Sequence, residues 1–364
     1  MNCDFDVFII GAGPAGAATA VSLGDVAPGL RVCLADAGRV DPLRIGESVP
    51  PPILPYLQHL GVAADFGQDG HCPSFRTMSA WGGPELLGNE FFLQVHNTGW
   101  RLDRPRFDGM LMKQAQRRGA QPLDAKVRSL AWADDHWRVD CGDGGLHTAR
   151  CVVDASGRAA LPSRLAGLRS VNLDRQVACV VFFEDSGNAL PGADAALVES
   201  FRDGWWYTAA IPEGRRVAAL MTDADIARRL RVSEPEAWMQ CLNQSKHVRP
   251  LLAHARPLAA PRFWAAGTRY LQTTARPNFL AVGDAATSFD PLSSQGIIKA
   301  LRSSIFASYA IADQLLRGDE SGIARYAAIG KREFAAYRKT WLDYYRQEQR
   351  WPDAPFWQRR HRLD

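Results

Sequence analysis

"DVFIIGAGPAGAATAVSL", residues Asp6 to Leu23, opens as a short apolar run, turns on glycines and continues as an alanine-rich stretch. The run has the length of a buried strand, and the alanines after it favour a helix. Between them the glycines fall at Gly11, Gly13 and Gly16. Gly11 allows a tight turn, Gly13 lets a pyrophosphate approach the backbone, and Gly16 lets helix and strand pack closely. The helix start around Ala15 offers free N–H groups and a positive dipole end to phosphates. Downstream, "RVCLAD" (Arg31 to Asp36) supplies a second strand whose final Asp36, 20 residues after Gly16, can accept hydrogen bonds from a ribose. Strand, glycine turn, helix, strand and acid in this order predict a dinucleotide-binding α/β unit. The other reading, a purely structural glycine turn, explains the acid less well.

The rest of the composition narrows the class. With 364 residues, 46% of them hydrophobic, the chain can bury a full core. Its net charge of +4 is too small an excess to argue for nucleic acid. Seven cysteines, odd in number and without CxxC spacing, disfavour a disulfide framework or a zinc site and suit a reducing cytoplasm. The N-terminal apolar run is too short for a membrane span and lacks the flanks of a signal peptide.

Paired with "FLAVGDAA" (Phe279 to Ala286), the first motif resembles the two-part pattern of FAD-binding proteins of the glutathione-reductase and hydroxybenzoate-hydroxylase type. The resemblance implies FAD as cofactor, with Asp284 bonded to its ribityl and phosphate part; taken alone, Asp284 could equally cap the next helix. "GESVPPPILPYLQHLGV" (Gly46 to Val62) resembles the segment that flavin-dependent halogenases and geranylgeranyl-reductase-like flavoproteins lay along the isoalloxazine, which brings Glu47 and Ser48 to the flavin. "WRLDRPRFDGML" (Trp100 to Leu111) is similar to the helix start from which an arginine, here Arg104, reaches FAD. Read locally, these two stretches are a proline-broken loop and an N-capped surface helix.

The family pattern implies an α/β protein with a discontinuous FAD domain: residues 1–75, 100–165 and 272–315 fold together. Residues 76–99 and 166–271 form a substrate domain, in which "VACVVFFED", "GWWYTAAIP" and "RRVAALMTD" read as strands of an antiparallel sheet. Residues 316–364 form a C-terminal helical segment and tail. No second glycine motif precedes a helix, so electrons must come from a docked NAD(P)H or from reduced flavin made by a separate flavin reductase.

The loop "PLSSQGIIKAL" (Pro291 to Leu301) carries the finer reading. By resemblance it turns into the flavin face, where Ser293, Ser294 and Gly296 keep backbone N–H groups near the ring edge that becomes negative on reduction. By local pattern alone it is a serine-capped helix start. Halogenases carry P-L-E-S-T-G there, with the threonine and glycine binding chloride and the glutamate assisting substitution. This chain has Ser293 for the glutamate and Gln295 for the threonine. It also has no lysine before Lys113, where halogenases need one; Arg76 lies in that region, and a guanidinium does not shuttle a proton in the same way.

Together with "SAWGG" (Ser79 to Gly83) and the terminal "YYRQEQRWPDAPFWQRR", these motifs most resemble the halogenase-like flavoproteins that mature tryptophylquinone enzymes. That resemblance implies a flavin-dependent monooxygenase that hydroxylates an electron-rich ring through a C4a-hydroperoxide. Its substrate would be a tryptophan in a client protein or peptide. The alternative is an oxygenase, halogenase or reductase acting on a free small molecule in natural-product biosynthesis. Trp81, Trp206 and Tyr207 are candidates for the substrate face, and each is equally a core-packing residue by type. Glu47 could polarise the reacting group or merely hold the loop; His96 is a weaker candidate base. Lys299 is expected to face solvent or the FAD phosphates. Trp351, Phe356 and Trp357 of the tail either anchor a partner or pack on their own chain.

Overall fold

The N-terminal apolar run forms β1 (Phe5–Ile10) inside a sheet of the computed structural model, which describes residues 3–38, 43–91, 96–184 and 194–363. Val7, Phe8 and Ile9 are fully buried, as a strand covered on both faces requires. Then come α1 (Pro14–Val26), β2 (Val32–Asp36), α2 (Arg104–Arg117), β3 (Gln121–Asp124) and β4 (Leu146–Asp154). β1 pairs in parallel with β2 and β4, Ile9 lying opposite Leu34 on one side and Val153 on the other. A Cβ on Gly16 would sit 1.8 Å from the Gly11 carbonyl oxygen, and one on Gly11, at φ +104°, would sit 2.5 Å from that of Ala155. Turn, helix and the "DASGR" segment (Asp154 to Arg158) thus touch through backbone, and only glycine fits.

The second sheet is mainly antiparallel. It contains β5 (Gln176–Glu184), β6 (Ala196–Phe201), β7 (Gly204–Ile211) and β8 (Arg215–Asp223), in the order β5, β8, β7, β6, and continues through the strands Arg76–Ala80 and Leu87–Glu90. The three stretches expected to be strands fall on β5, β7 and β8. Alternate side chains take opposite faces. Trp205 and Ala209 bury with Phe182 and Val217 on one face, while Trp206 buries with Cys179, Leu220 and Trp238 on the other.

The chain then returns to the first sheet through β9 (Phe279–Ala281), parallel to β4, and turns helical as α3 (Gly296–Arg317), α4 (Ser321–Gln347) and α5 (Pro355–His361). α3 packs on α1, the Ser304 hydroxyl donating to the Ala15 carbonyl at 2.7 Å. α4 lays Tyr337, Trp341 and Tyr345, four residues apart and so on one helical face, into the apolar cluster that holds Trp205. Phe356 and Trp357 are fully buried in that cluster, so the tail packs on its own chain.

Candidate active site

Gly13 caps α1 without any side chain bonded to the first turn, and a Cβ placed on it would meet no protein atom within 4 Å. An uncapped helix start opening onto free space, with Pro14 at its first position, has the form of a phosphate cradle. Asp36 braces the turn: its Oδ2 accepts the Ala12 N–H at 2.7 Å and its Oδ1 the Gly38 N–H at 3.2 Å.

Across from this turn lies Asp284. Its Oδ1 is 2.6 Å from Lys299 Nζ and its Oδ2 is 3.3 Å from Arg158 Nε. Burial works against its charge, yet Lys299 and Arg158 hold the carboxyl below the usual range. Lys299 corrects an expectation. It does not face solvent: it is 3% exposed, donates to the Thr287 carbonyl and lies 4.4 Å from the centre of the Phe289 ring. Burial draws its ammonium below the usual lysine range, against the pull of Asp284. Arg158 also donates to the Gly267 and Phe289 carbonyls at 2.7 Å, which ties "DASGR" to this motif.

Arg104 opens α2, where the Asp103 carboxylate caps the Arg106 N–H at 3.0 Å. Its guanidinium donates to the Ile45 carbonyl at 2.6 Å and pairs with Asp108 at 3.2 Å. It therefore fixes the backbone just ahead of Glu47. Glu47 is 3% exposed and accepts the Tyr207 hydroxyl on Oε1 at 2.5 Å; the Ser48 hydroxyl lies 2.7 Å from the same Tyr207 oxygen. With the Tyr207 proton directed at Glu47, Ser48 is the donor of the second bond. Burial pushes the Glu47 carboxyl up, only partly offset by Tyr207, and burial beside Glu47 pushes the Tyr207 hydroxyl well up. A cavity lined by Glu47, Leu102, Arg104, Phe182, Ile211 and Arg215 opens beside this pair.

In the loop after Asp290, Ser293 donates to the Asp290 carbonyl at 2.9 Å and Ser294 takes a left-handed φ of +50°. Gln295 begins α3 without a side-chain cap, and a Cβ on Gly296 would meet nothing within 4 Å. This second helix start is thus open in the same way as the first.

Two aromatic candidates stand elsewhere. Trp206 does not share the face of Tyr207. Successive strand residues alternate, so its ring packs edge-on against Trp238 at 5.1 Å, fully buried on the far side of the sheet. Trp81 is on the nearer face, but it donates to the Tyr344 carbonyl at 2.8 Å and meets the rings of Tyr345 and Trp357 at 5.5 and 5.4 Å, so it holds the C-terminal helices. Arg76 is paired with Asp194 at 3.0 Å, and His96 is half-buried ahead of the strand Gly99–Arg101. Sequence reasoning missed Arg158 and Asp290 as side chains with work to do. The aromatic spacing of four in "YRKTWLDYY" was the available signal for what grips Asp290. Among the described residues no group of three or more His, Cys, Asp or Glu side chains is placed to hold a metal.

The family model described as tryptophan halogenase matches residues 84–364. The chain is 31% identical, over 98% of its length and 97% of the relative's, to a protein of Marinomonas mediterranea named as an FAD-dependent oxidoreductase, LodB. Its fold matches the myxobacterial chondrochloren halogenase CndH, with a TM-score of 0.88 at 23% identity over 99% of this chain and 86% of that one. It is also similar to QhpG, a peptidyl tryptophan dihydroxylase essential for tryptophylquinone cofactor biogenesis. There the TM-score is 0.73 at 28% identity, over 98% of this chain and 78% of that one.

Proposed function

This chain belongs to the tryptophan halogenase family of flavoproteins, and from that premise we propose that it hydroxylates the indole of a tryptophan carried in a peptide or protein. It is an FAD-dependent oxidoreductase. The observation that carries the substrate class is the likeness to a peptidyl tryptophan dihydroxylase along 98% of the chain.

The residues present suit FAD. The free space at Gly13 and the uncapped turn around Ala15 and Gly16 would take the pyrophosphate, with Gly11 shaping the turn and Asp36 at the ribose. Asp284, kept ionised by Lys299 and Arg158, would accept hydroxyls of the ribityl chain. Arg104 and Ser48 would hold the segment beside the ring, and the backbone of Ser293, Ser294 and Gly296 would face its edge. Reduced FAD would supply the activated oxygen when bound; the protein's share is placement and exclusion of water.

Glu47 and Tyr207 would handle the proton. An indole that gains oxygen must lose a ring proton to recover aromaticity, and Glu47 Oε1, with its raised affinity for protons, would receive it directly or through the Tyr207 hydroxyl. Ser293 and Gln295, in place of the halogenase glutamate and threonine, favour oxygen transfer over halide chemistry. Electrons would come from NAD(P)H or from reduced flavin delivered by a flavin reductase, and the client would be a tryptophan-bearing polypeptide.

The test is to load the protein with FAD, reduce it anaerobically, and admit O2 with a tryptophan-containing peptide or free tryptophan, with and without bromide. Oxygen added to the peptide, found by mass spectrometry, is the expected result. Brominated free tryptophan would instead establish the halogenase reading, which the family match favours. Slow reoxidation with neither product would point to a reductase.

A further inference from the structure

Asp290 opens the loop read above as facing the flavin, and it is 1% exposed. Its Oδ1 accepts the Leu292 N–H at 2.9 Å, which shapes the turn ahead of Ser293 and Ser294. Its Oδ2 accepts the Trp341 indole N–H at 3.0 Å and the Tyr345 hydroxyl at 2.8 Å, while its own N–H donates to the Tyr337 oxygen at 2.7 Å. One face of α4 thus holds one loop residue through three side chains. The Tyr345 oxygen also accepts the Trp205 indole N–H at 3.0 Å, and Trp205 shares its strand β7 and its sheet face with Tyr207. A run of buried hydrogen bonds therefore joins the loop to the strand that carries the Glu47 partner.

We propose that Asp290 is the positioning residue of the flavin-facing loop, gripped by Tyr337, Trp341 and Tyr345, and that the bond from Trp205 to Tyr345 sets the loop relative to Tyr207. The inference rests on the reading that this loop faces FAD. It makes the C-terminal helix part of the active-site scaffold. A loop held by one carboxylate has one position for its N–H groups, and small displacements of such groups carry large rate effects.

The experiment uses the full chain loaded with FAD, comparing wild type with Asp290→Asn, Tyr345→Phe and Tyr326→Phe. The last removes another buried α4 hydroxyl, bonded to the Ala281 carbonyl at 2.6 Å and outside the loop. Asp290→Asn opposes an amide donor to the Trp341 N–H; it is expected to retain FAD, shift the flavin absorption spectrum and slow reoxidation of the reduced holoenzyme by O2 about tenfold. Tyr345→Phe is expected to move both readouts in the same direction, and it decides the matter if Asp290→Asn fails to fold. Tyr326→Phe is expected to lower the melting temperature and leave both unchanged. Wild-type spectrum and reoxidation in Asp290→Asn and Tyr345→Phe would overturn the proposal, as would an equal change in Tyr326→Phe. A wild-type protein that takes up no FAD would bring down the flavin reading itself, and this inference with it.

Discussion

Two glycines of one motif have different jobs, and substitution separates them. Gly16→Ala drives a methyl group to within 1.8 Å of the Gly11 carbonyl oxygen, which no side-chain rotation relieves. A loss of about 3 kcal/mol is expected, measured by urea unfolding without ligand. Gly13→Ala meets no protein atom, so its unfolding curve is expected to match wild type within about 0.5 kcal/mol, while titration with FAD shows weaker binding. Glu47 makes a pH-dependent statement. Its carboxyl is raised from the ordinary 4.5, so its stabilising contribution is complete below that value and is lost as pH rises through the folded-state value. Glu47→Gln removes the cost of a buried charge. The melting temperature of that variant relative to wild type is expected to improve from about pH 5 to about pH 8; a difference that stays flat across that range would show Glu47 to be ordinary.

At the scale of elements, β7 shows what a strand pattern leaves open. "GWWYTAAIP" announces a strand by its aromatic and apolar content, and alternation puts Trp206 and Tyr207 on opposite faces. Which face meets the nucleotide half depends on residues far away in sequence: Tyr207 reaches Ser48 and Glu47, and Trp206 reaches Trp238. Trp206→Phe keeps most of the packing, and the Trp206 indole N–H has no hydrogen-bond partner among the described residues to lose. It is expected to cost about 1 kcal/mol and leave kcat within about twofold. Tyr207→Phe, which removes the bond to Glu47, is expected to lower kcat about a hundredfold with a smaller change in stability. Equal kinetic effects of the two variants would mean that the sheet face was misassigned.

Across the whole molecule, the C-terminal segment locks the second sheet. Arg360 is 1% exposed, pairs with Asp223 at 2.9 Å, donates to the Gln176 side-chain oxygen at 3.0 Å and lies 3.5 Å from the centre of the Phe356 ring. Arg359 reaches the same Asp223 at 2.8 Å. Arg360→Met is expected to cost about 3 kcal/mol, because it leaves the buried Asp223 with a single cation. Unfolding by urea checks it, and a cost below about 1 kcal/mol would mean that Arg359 alone satisfies the carboxylate. No helix of the described residues is long and apolar enough to cross a membrane.

By itself the sequence determined the dinucleotide turn, the strands of the second sheet and the helical C-terminus, because each is written in neighbouring residues: glycine spacing, alternation and helical period. It also carried the cofactor, since two short motifs in order specify it. Only the tertiary structure decided which side chains meet. Lys299, one helical turn past a half-buried loop, is buried because Asp284 and the Thr287 carbonyl converge on it from the preceding strand and turn. Asp290, silent in the sequence, is gripped from 47 to 55 positions downstream. Glu47 finds Tyr207 across 160 positions. Local pattern is set by the backbone's own periods, whereas a buried hydrogen bond is chosen by whichever distant partner the packing of two sheets and a helix brings within 3 Å.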